Sequence, residues 1–248
     1  MSPELLIRQA HSRHQLWREL SSWQPIDAVA ALLLPIVIPL VIYVSADFWQ
    51  AVGILPQWAS FFLEQTPTAL VLQYAFSLVV EVGVIIWLAR IRQAGFADFG
   101  FKLVKIQWYV VAILLYLVQI FLIIGIFVLL NRFLPAINTD EKQPVLEFGR
   151  SGWGFWLSFI SSVVVAPVIE ELMFRGIIFA GLSKRYPLWL AAVGSSLAFA
   201  LLHGQVNVGI YTFVFGLILS WLYFRSGSLY PGITAHFINN LIAFWLLS

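Results

Sequence analysis

Between Gly154 and Leu182 the chain carries no ionisable residue except Glu170, Glu171 and Arg175. A run of that length and apolarity folds as a helix that crosses the roughly 30 Å hydrocarbon core of a bilayer. An ionisable group there is costly unless it is paired or lines a polar cavity, which makes it a functional marker by default. His203 and His236 stand in two further apolar runs. Polar insertions on three separate apolar segments predict one buried polar centre assembled from three helices.

Composition agrees with a polytopic, all-α membrane bundle. Hydrophobic residues make up 61% of the chain and charged residues 10%, outside the range of soluble globular domains. Many of the 11 tryptophans fall near the ends of apolar runs, as in an interfacial aromatic belt. The formal charge of +2 and pI near 9.0 do not point to nucleic acid, because the basic residues are scattered among short loops. With no cysteine, disulfides, thiolate metal sites and a cysteine nucleophile are excluded together.

Seven spans are expected, at Ile26–Ala46, Thr68–Ala89, Trp108–Leu130, Gly154–Leu182, Leu188–His203, Val208–Phe224 and Tyr230–Leu247. An eighth would require Phe48–Phe62 to cross, but Gly53 and Pro56 interrupt it, so a loop or interfacial piece is expected there. Residues 1–25 form a polar arm, in which Pro3–Trp23 alternates Leu and Trp with Arg and His and predicts an interfacial amphipathic helix. The first span lacks a following small-residue cleavage site and reads as a retained signal anchor. Residues 26–248 are expected to form a single transmembrane domain. Basic residues gather in the arm, in 90–105, at Lys184-Arg185 and at Arg225, alternating with basic-poor connections. The loop 131–152 is the exception, holding Arg132, Lys142 and Arg150 beside Asp140, Glu141 and Glu147. The alternation predicts a cytoplasmic N-terminus, and the membrane is expected to be the plasma (inner) membrane if the chain is prokaryotic.

Glu171 and Arg175 are four apart and share a helix face, the spacing of an ion pair. Glu170 is turned about 100° away. It lacks a local counter-charge, and this suits it to proton transfer. The bland alternative is that both acids merely hold Arg175 or a neighbouring helix. His236 and Asn240 are again four apart and offer two hydrogen-bond donors in one direction, as an oxyanion site needs. Phe199 and His203 repeat the spacing and place an aromatic wall one turn from an imidazole. A lone histidine on an apolar helix is more often a satisfied core residue than a catalyst; three polar clusters in one bundle argue against that here. His236 is the awkward member, because it lies only about 14 Å from its own turn at Gly227, against about 21 and 24 Å for Glu170 and His203 from theirs.

Glu170-Glu171-Leu-Met-Phe-Arg175, Phe199-Ala-Leu-Leu-His203 and His236-Phe-Ile-Asn-Asn240, in that order, resemble the motifs of the CAAX-protease and bacteriocin-processing (CPBP, or Abi) family of intramembrane proteases. Phe96–Lys102 is similar to a short interhelical motif ahead of that family's core, so the resemblance covers about residues 95–248. It implies an intramembrane endopeptidase. Glu170 would take a proton from water, His203 would hold that water, and His236 and Asn240 would stabilise the oxyanion. Glu171, Arg175 and Phe199 would support them. No cofactor is implied by a glutamate mechanism; the alternative is zinc held by Glu170, His203 and His236.

Two other classes remain open. A non-catalytic membrane scaffold or immunity protein would keep its function without Glu170. A proton-coupled transporter would use intramembrane Glu and His, and Glu81 in the second span would favour it. The expected partners are the bilayer and a membrane-embedded or lipidated protein or peptide. Nothing in the sequence names the substrate or the oligomeric state, and His11 and His14 on the polar arm are expected to be solvated.

Overall fold

The structure, a computed structural model, describes residues 21–53, 66–136 and 152–247. The described residues form an all-α bundle: α1 (Pro25–Ala51), α2 (Pro67–Arg92), the four-residue α3 (Phe96–Phe99), α4 (Gln107–Phe133), α5 (152–183), α6 (Leu188–Leu201), α7 (Val206–Ser226) and α8 (Tyr230–Leu247). Among the described residues five helices are long and apolar enough to cross a membrane: α1, α2, α4, α5 and α7. The protein is an integral membrane protein. Helix α6 has 14 residues, so it reaches only about 21 Å and falls short of a full crossing. Gly204, at φ +70°, stops it early. His203, expected on this helix, therefore sits in the turn that follows Leu201.

Two further expectations are modified. Helix α1 runs on through Phe48 and Trp49 to Ala51, beyond the span read from the sequence, while 54–62 lies outside the described residues. Most of the arm, with His11 and His14, also lies outside them, as do 137–151. Trp23, at the arm's end, is not interfacial: it is fully buried and packs 4.8 Å from the Phe99 ring.

Local chemistry explains the boundaries. Thr66 caps α2 by accepting from the Ala69 N–H at 3.2 Å, with Pro67 at the first helical position. Gly227, at φ +71°, ends α7. In α5 the turns widen to π-helix over Ile160–Val165 and Leu172–Phe179, on either side of Ala166–Glu171. The first widening falls where the Pro167 ring would otherwise press on the carbonyl four residues back. Small residues let α6 and α7 meet closely: a Cβ on Gly216 would lie 2.8 Å from Ser196.

The segments read as basic loops converge at one end of the bundle, in a clasp made largely from main-chain carbonyls. Lys184 Nζ donates to the Ser21 carbonyl at 2.6 Å, and Trp23 Nε1 to that of Asp98 at 3.3 Å. Tyr223 donates to the Phe99 carbonyl at 3.0 Å and Ser228 to that of Lys102 at 2.6 Å. The Leu229 N–H reaches the Gly100 carbonyl at 2.9 Å. Ser228 and Leu229 are buried, so α8 starts inside the bundle rather than at its surface. That deep start brings His236 level with α5.

Candidate active site

The three clusters meet. Arg175 Nη1 donates to Glu171 Oε1 at 2.8 Å, the ion pair expected from their spacing. The same oxygen lies 3.2 Å from His236 Nδ1 on α8. All three side chains are buried, Arg175 completely. Its guanidinium lies 4.8 Å from the Phe199 ring centroid and 5.9 Å from that of Phe174. Aromatic faces thus surround a cation whose Nε and Nη2 have no hydrogen-bond partner among the described residues. Gly232 packs closely against this group: a Cβ there would stand 3.0 Å from Glu171 Oε2.

Glu170 points differently from Glu171, as the 100° rotation demands, yet both reach the same imidazole. Glu170 Oε2 lies 3.4 Å from His236 Nε2, longer than a well-formed N–H···O bond. A carboxylate only accepts, so the shorter contact puts a hydrogen on Nδ1 and turns Nε2 toward Glu170. Glu171 is sealed, whereas Glu170 retains 29% of its side-chain exposure. The ring of His236 is held between Phe199 and Phe215, with centroids at 5.8 and 5.4 Å.

His203 is half-buried, and its Nδ1 lies 2.8 Å from the Phe199 carbonyl. A carbonyl cannot donate, so this nitrogen carries the hydrogen and Nε2 is left with its lone pair. The ring stands edge-on to Phe199 at 4.9 Å, which makes Phe199 the common neighbour of His203, His236 and Arg175. Asn240 Nδ2 donates to the Ser162 carbonyl at 2.8 Å, while its Oδ1 accepts from Asn239 at 2.9 Å. That pairing fixes which end of the amide is the donor and leaves Nδ2 a second N–H. Tyr211 on α7 in turn donates to Asn239.

Sequence reading singled out Glu170, Glu171, Arg175, Phe199, His203, His236 and Asn240; contacts join the first six, whereas Asn240 bonds Ser162 and Asn239 instead. It missed Ser162, Tyr211, Asn239 and Gly232. Ser162 acts through its carbonyl and Gly232 through the absence of a side chain, so neither has a residue-type signature. Asn239, beside Asn240 in an apolar helix, was a visible signal. Among the described residues no three His, Cys, Asp or Glu side chains are grouped to hold a metal ion. The zinc set of Glu170, His203 and His236 is not assembled as a cage among the described residues.

Residues 152–242 match the family described as "Type II CAAX prenyl endopeptidase Rce1-like". Over 113 residues the chain is 31% identical to "UPF0177 protein YbdI" of Lactococcus lactis subsp. lactis (strain IL1403), covering 45% of this chain and 61% of that relative. Over 84 residues it is 31% identical to "Putative membrane peptidase YdiL" of Bacillus subtilis (strain 168), covering 34% of each. The chain thus spans less than two thirds of the length of either relative. No solved structure matches. The matched region contains α5 to α8 almost entirely, with every motif residue of the site.

Proposed function

Because this chain belongs to the CAAX-protease and bacteriocin-processing family, we propose that it is an intramembrane endopeptidase that hydrolyses a peptide bond in a membrane-embedded or lipidated protein. The observation that carries the reading is the placement of His236 between two unlike carboxylates, one sealed with Arg175 and one partly open. A merely structural ion pair would leave both acids sealed.

In the proposed reaction Glu170 accepts a proton from a water molecule held by the lone pair on His203 Nε2. The water oxygen bonds to the scissile carbonyl carbon, and the carbonyl π pair moves onto oxygen. Asn240's second N–H donates to that oxyanion. His236 Nε2, facing Glu170, can take up the transferred proton, so that an imidazolium also faces the negative charge. Glu171 holds the ring's orientation through Nδ1, and Arg175 holds Glu171. Collapse of the intermediate breaks the C–N bond, and the shuttled proton goes to the leaving amine. Atoms and charge balance with one water consumed. This glutamate mechanism requires no metal; a chelator such as EDTA should leave cleavage intact, and loss restored by zinc would overturn it.

The test compares membranes carrying wild type with membranes carrying Glu170→Gln, sequencing every new peptide N-terminus without presupposing a substrate. Termini found only with wild type are expected. Identical termini, with the biological phenotype intact in the variant, would replace the peptidase reading with that of a scaffold or a transporter.

A further inference from the structure

Helix α2 lies outside the matched region, yet it carries an acid at membrane depth. Tyr74, Leu78, Glu81, Ile85, Leu88 and Arg92 recur at alternating steps of four and three, forming one stripe along the helix. The lower part of that stripe is tied down: Ile85 and Leu88 are buried in the core cluster that includes Ile169 and Met173 of α5, and Arg92 pairs with Asp27 at 2.8 Å. Tyr74 and Glu81 stand further along the same stripe. Both are half-buried and lie within electrostatic range of Glu170 and of each other. Neither has a hydrogen bond or ion pair among the described residues.

Several polar groups of the site are already engaged: Glu171 by Arg175 and His236, Asn240 by Ser162 and Asn239, His203 Nδ1 by Phe199. A peptide bond becomes open to attack only in an extended segment. Away from water such a segment exposes main-chain N–H and C=O groups that must find partners. A donor and an acceptor are therefore needed beside the water-activating group.

We propose that Tyr74 and Glu81 are substrate-positioning residues, hydrogen-bonding the main chain of an extended peptide segment next to the bond held at Glu170. The phenol donates to a substrate carbonyl, and a Glu81 oxygen accepts a substrate N–H. The inference rests on the peptidase reading. It adds α2 to a site otherwise built by α5, α6 and the turn after it, α7 and α8.

The test uses a synthetic peptide spanning a bond that wild type cuts, presented to the full chain in liposomes. Glu81→Leu and Tyr74→Phe should each raise KM about tenfold, the size of one lost buried hydrogen bond, with kcat nearly unchanged. Glu81→Gln keeps an acceptor oxygen and should restore KM. Loss of kcat in both Glu81 variants would make Glu81 a proton-transfer group and overturn the assignment. Unchanged KM in all three, with Glu170→Gln inactive, would sink this inference alone; a wild type that cuts nothing would sink the peptidase reading with it.

A second readout needs no turnover. Because the chain has no cysteine, Tyr74→Cys or Glu81→Cys can be placed singly in the Glu170→Gln background. Either thiol should react with a small methanethiosulfonate reagent and be protected by the peptide. A thiol at lipid-facing Val79, 69% exposed, should show no protection. Equal behaviour at all three positions would overturn the proposal.

Discussion

The polar centre and the clasp at the end of the bundle both tie distant segments together, but with different materials. At the centre, α5 and α8 are joined through ionisable side chains, Glu170, Glu171, Arg175 and His236, three of them sealed from water. At the clasp, α1, α3, α5, α7 and α8 are joined largely through carbonyls of residues 21 and 98–102. Buried charges are a poor way to gain stability, since desolvation offsets most of their attraction. Main-chain hydrogen bonds at a helix end satisfy groups that need partners in any case. The centre is thus costly and chemically able, while the clasp is cheap and inert. Two properties, activity and stability, should separate along this line.

The sharpest separation is expected from Glu170→Gln. The side chain is nearly isosteric and 29% exposed, so the unfolding midpoint in detergent should barely move. Cleavage should fall by about 10²–10⁴-fold, the usual contribution of a general base. Next comes Arg175→Met, which fills the same space but leaves Glu171 buried without its cation. Breaking a buried pair in this way costs about 3–5 kcal/mol, read from denaturant unfolding, and activity should be lost with the fold. A stable but inactive Arg175→Met protein would mean that the arginine belongs to the chemistry.

Gly100→Ala attacks the clasp instead. Gly100 has φ +95°, and a Cβ there would lie 2.4 Å from the Tyr223 ring, while its carbonyl holds Leu229. Over-packing of this kind typically costs about 1–3 kcal/mol. The midpoint should fall while cleavage per folded molecule stays at the wild-type level. If cleavage drops more steeply than stability, the clasp sets the depth of α8, and the two regions are coupled through His236.

The same division governs what could be read from the sequence. Glu171–Arg175, Phe199–His203 and His236–Asn240 follow helical spacing, and charge in an apolar run is conspicuous, so the centre was legible before any coordinates. The ladder of spans was legible too, except that Gly204 ends α6 early and α1 continues past its expected end. The clasp left no such trace. A carbonyl looks the same in every residue, so nothing marked Phe99, Gly100 or Lys102 as acceptors, and nothing foretold that Trp23 would leave the membrane surface for the core. Nor could spacing show how His236 gains its depth. That follows from Ser228 and Leu229 docking on residues 100 and 102, with 126 positions of chain separating Ser228 from Lys102.

The smallest effect expected is also the cleanest test of the clasp's independence. Asp98 lies outside the membrane-spanning helices and accepts from Ser22 Oγ at 2.7 Å. That bond, then the Gly95 N–H, with a lesser contribution from Lys102, holds its carboxyl below the ordinary aspartate range against a smaller opposing effect of burial. A folded-state pKa below the unfolded value of about 3.9 adds stability that is complete above that value. It disappears as pH falls through the folded-state pKa. Because the group is only partly buried, solvent screening keeps the gain small. Unfolding midpoints of wild type and Asp98→Asn, followed from pH 7 downward, should therefore differ slightly at neutral pH, with the gap starting to close at about pH 4 and vanishing below the folded-state pKa. Glu170, Glu171 and His236 are present in both chains and cancel from the difference. A gap that persists to low pH would mean that Asp98 acts through its shape in the Gly95–Gly100 turn rather than through its charge.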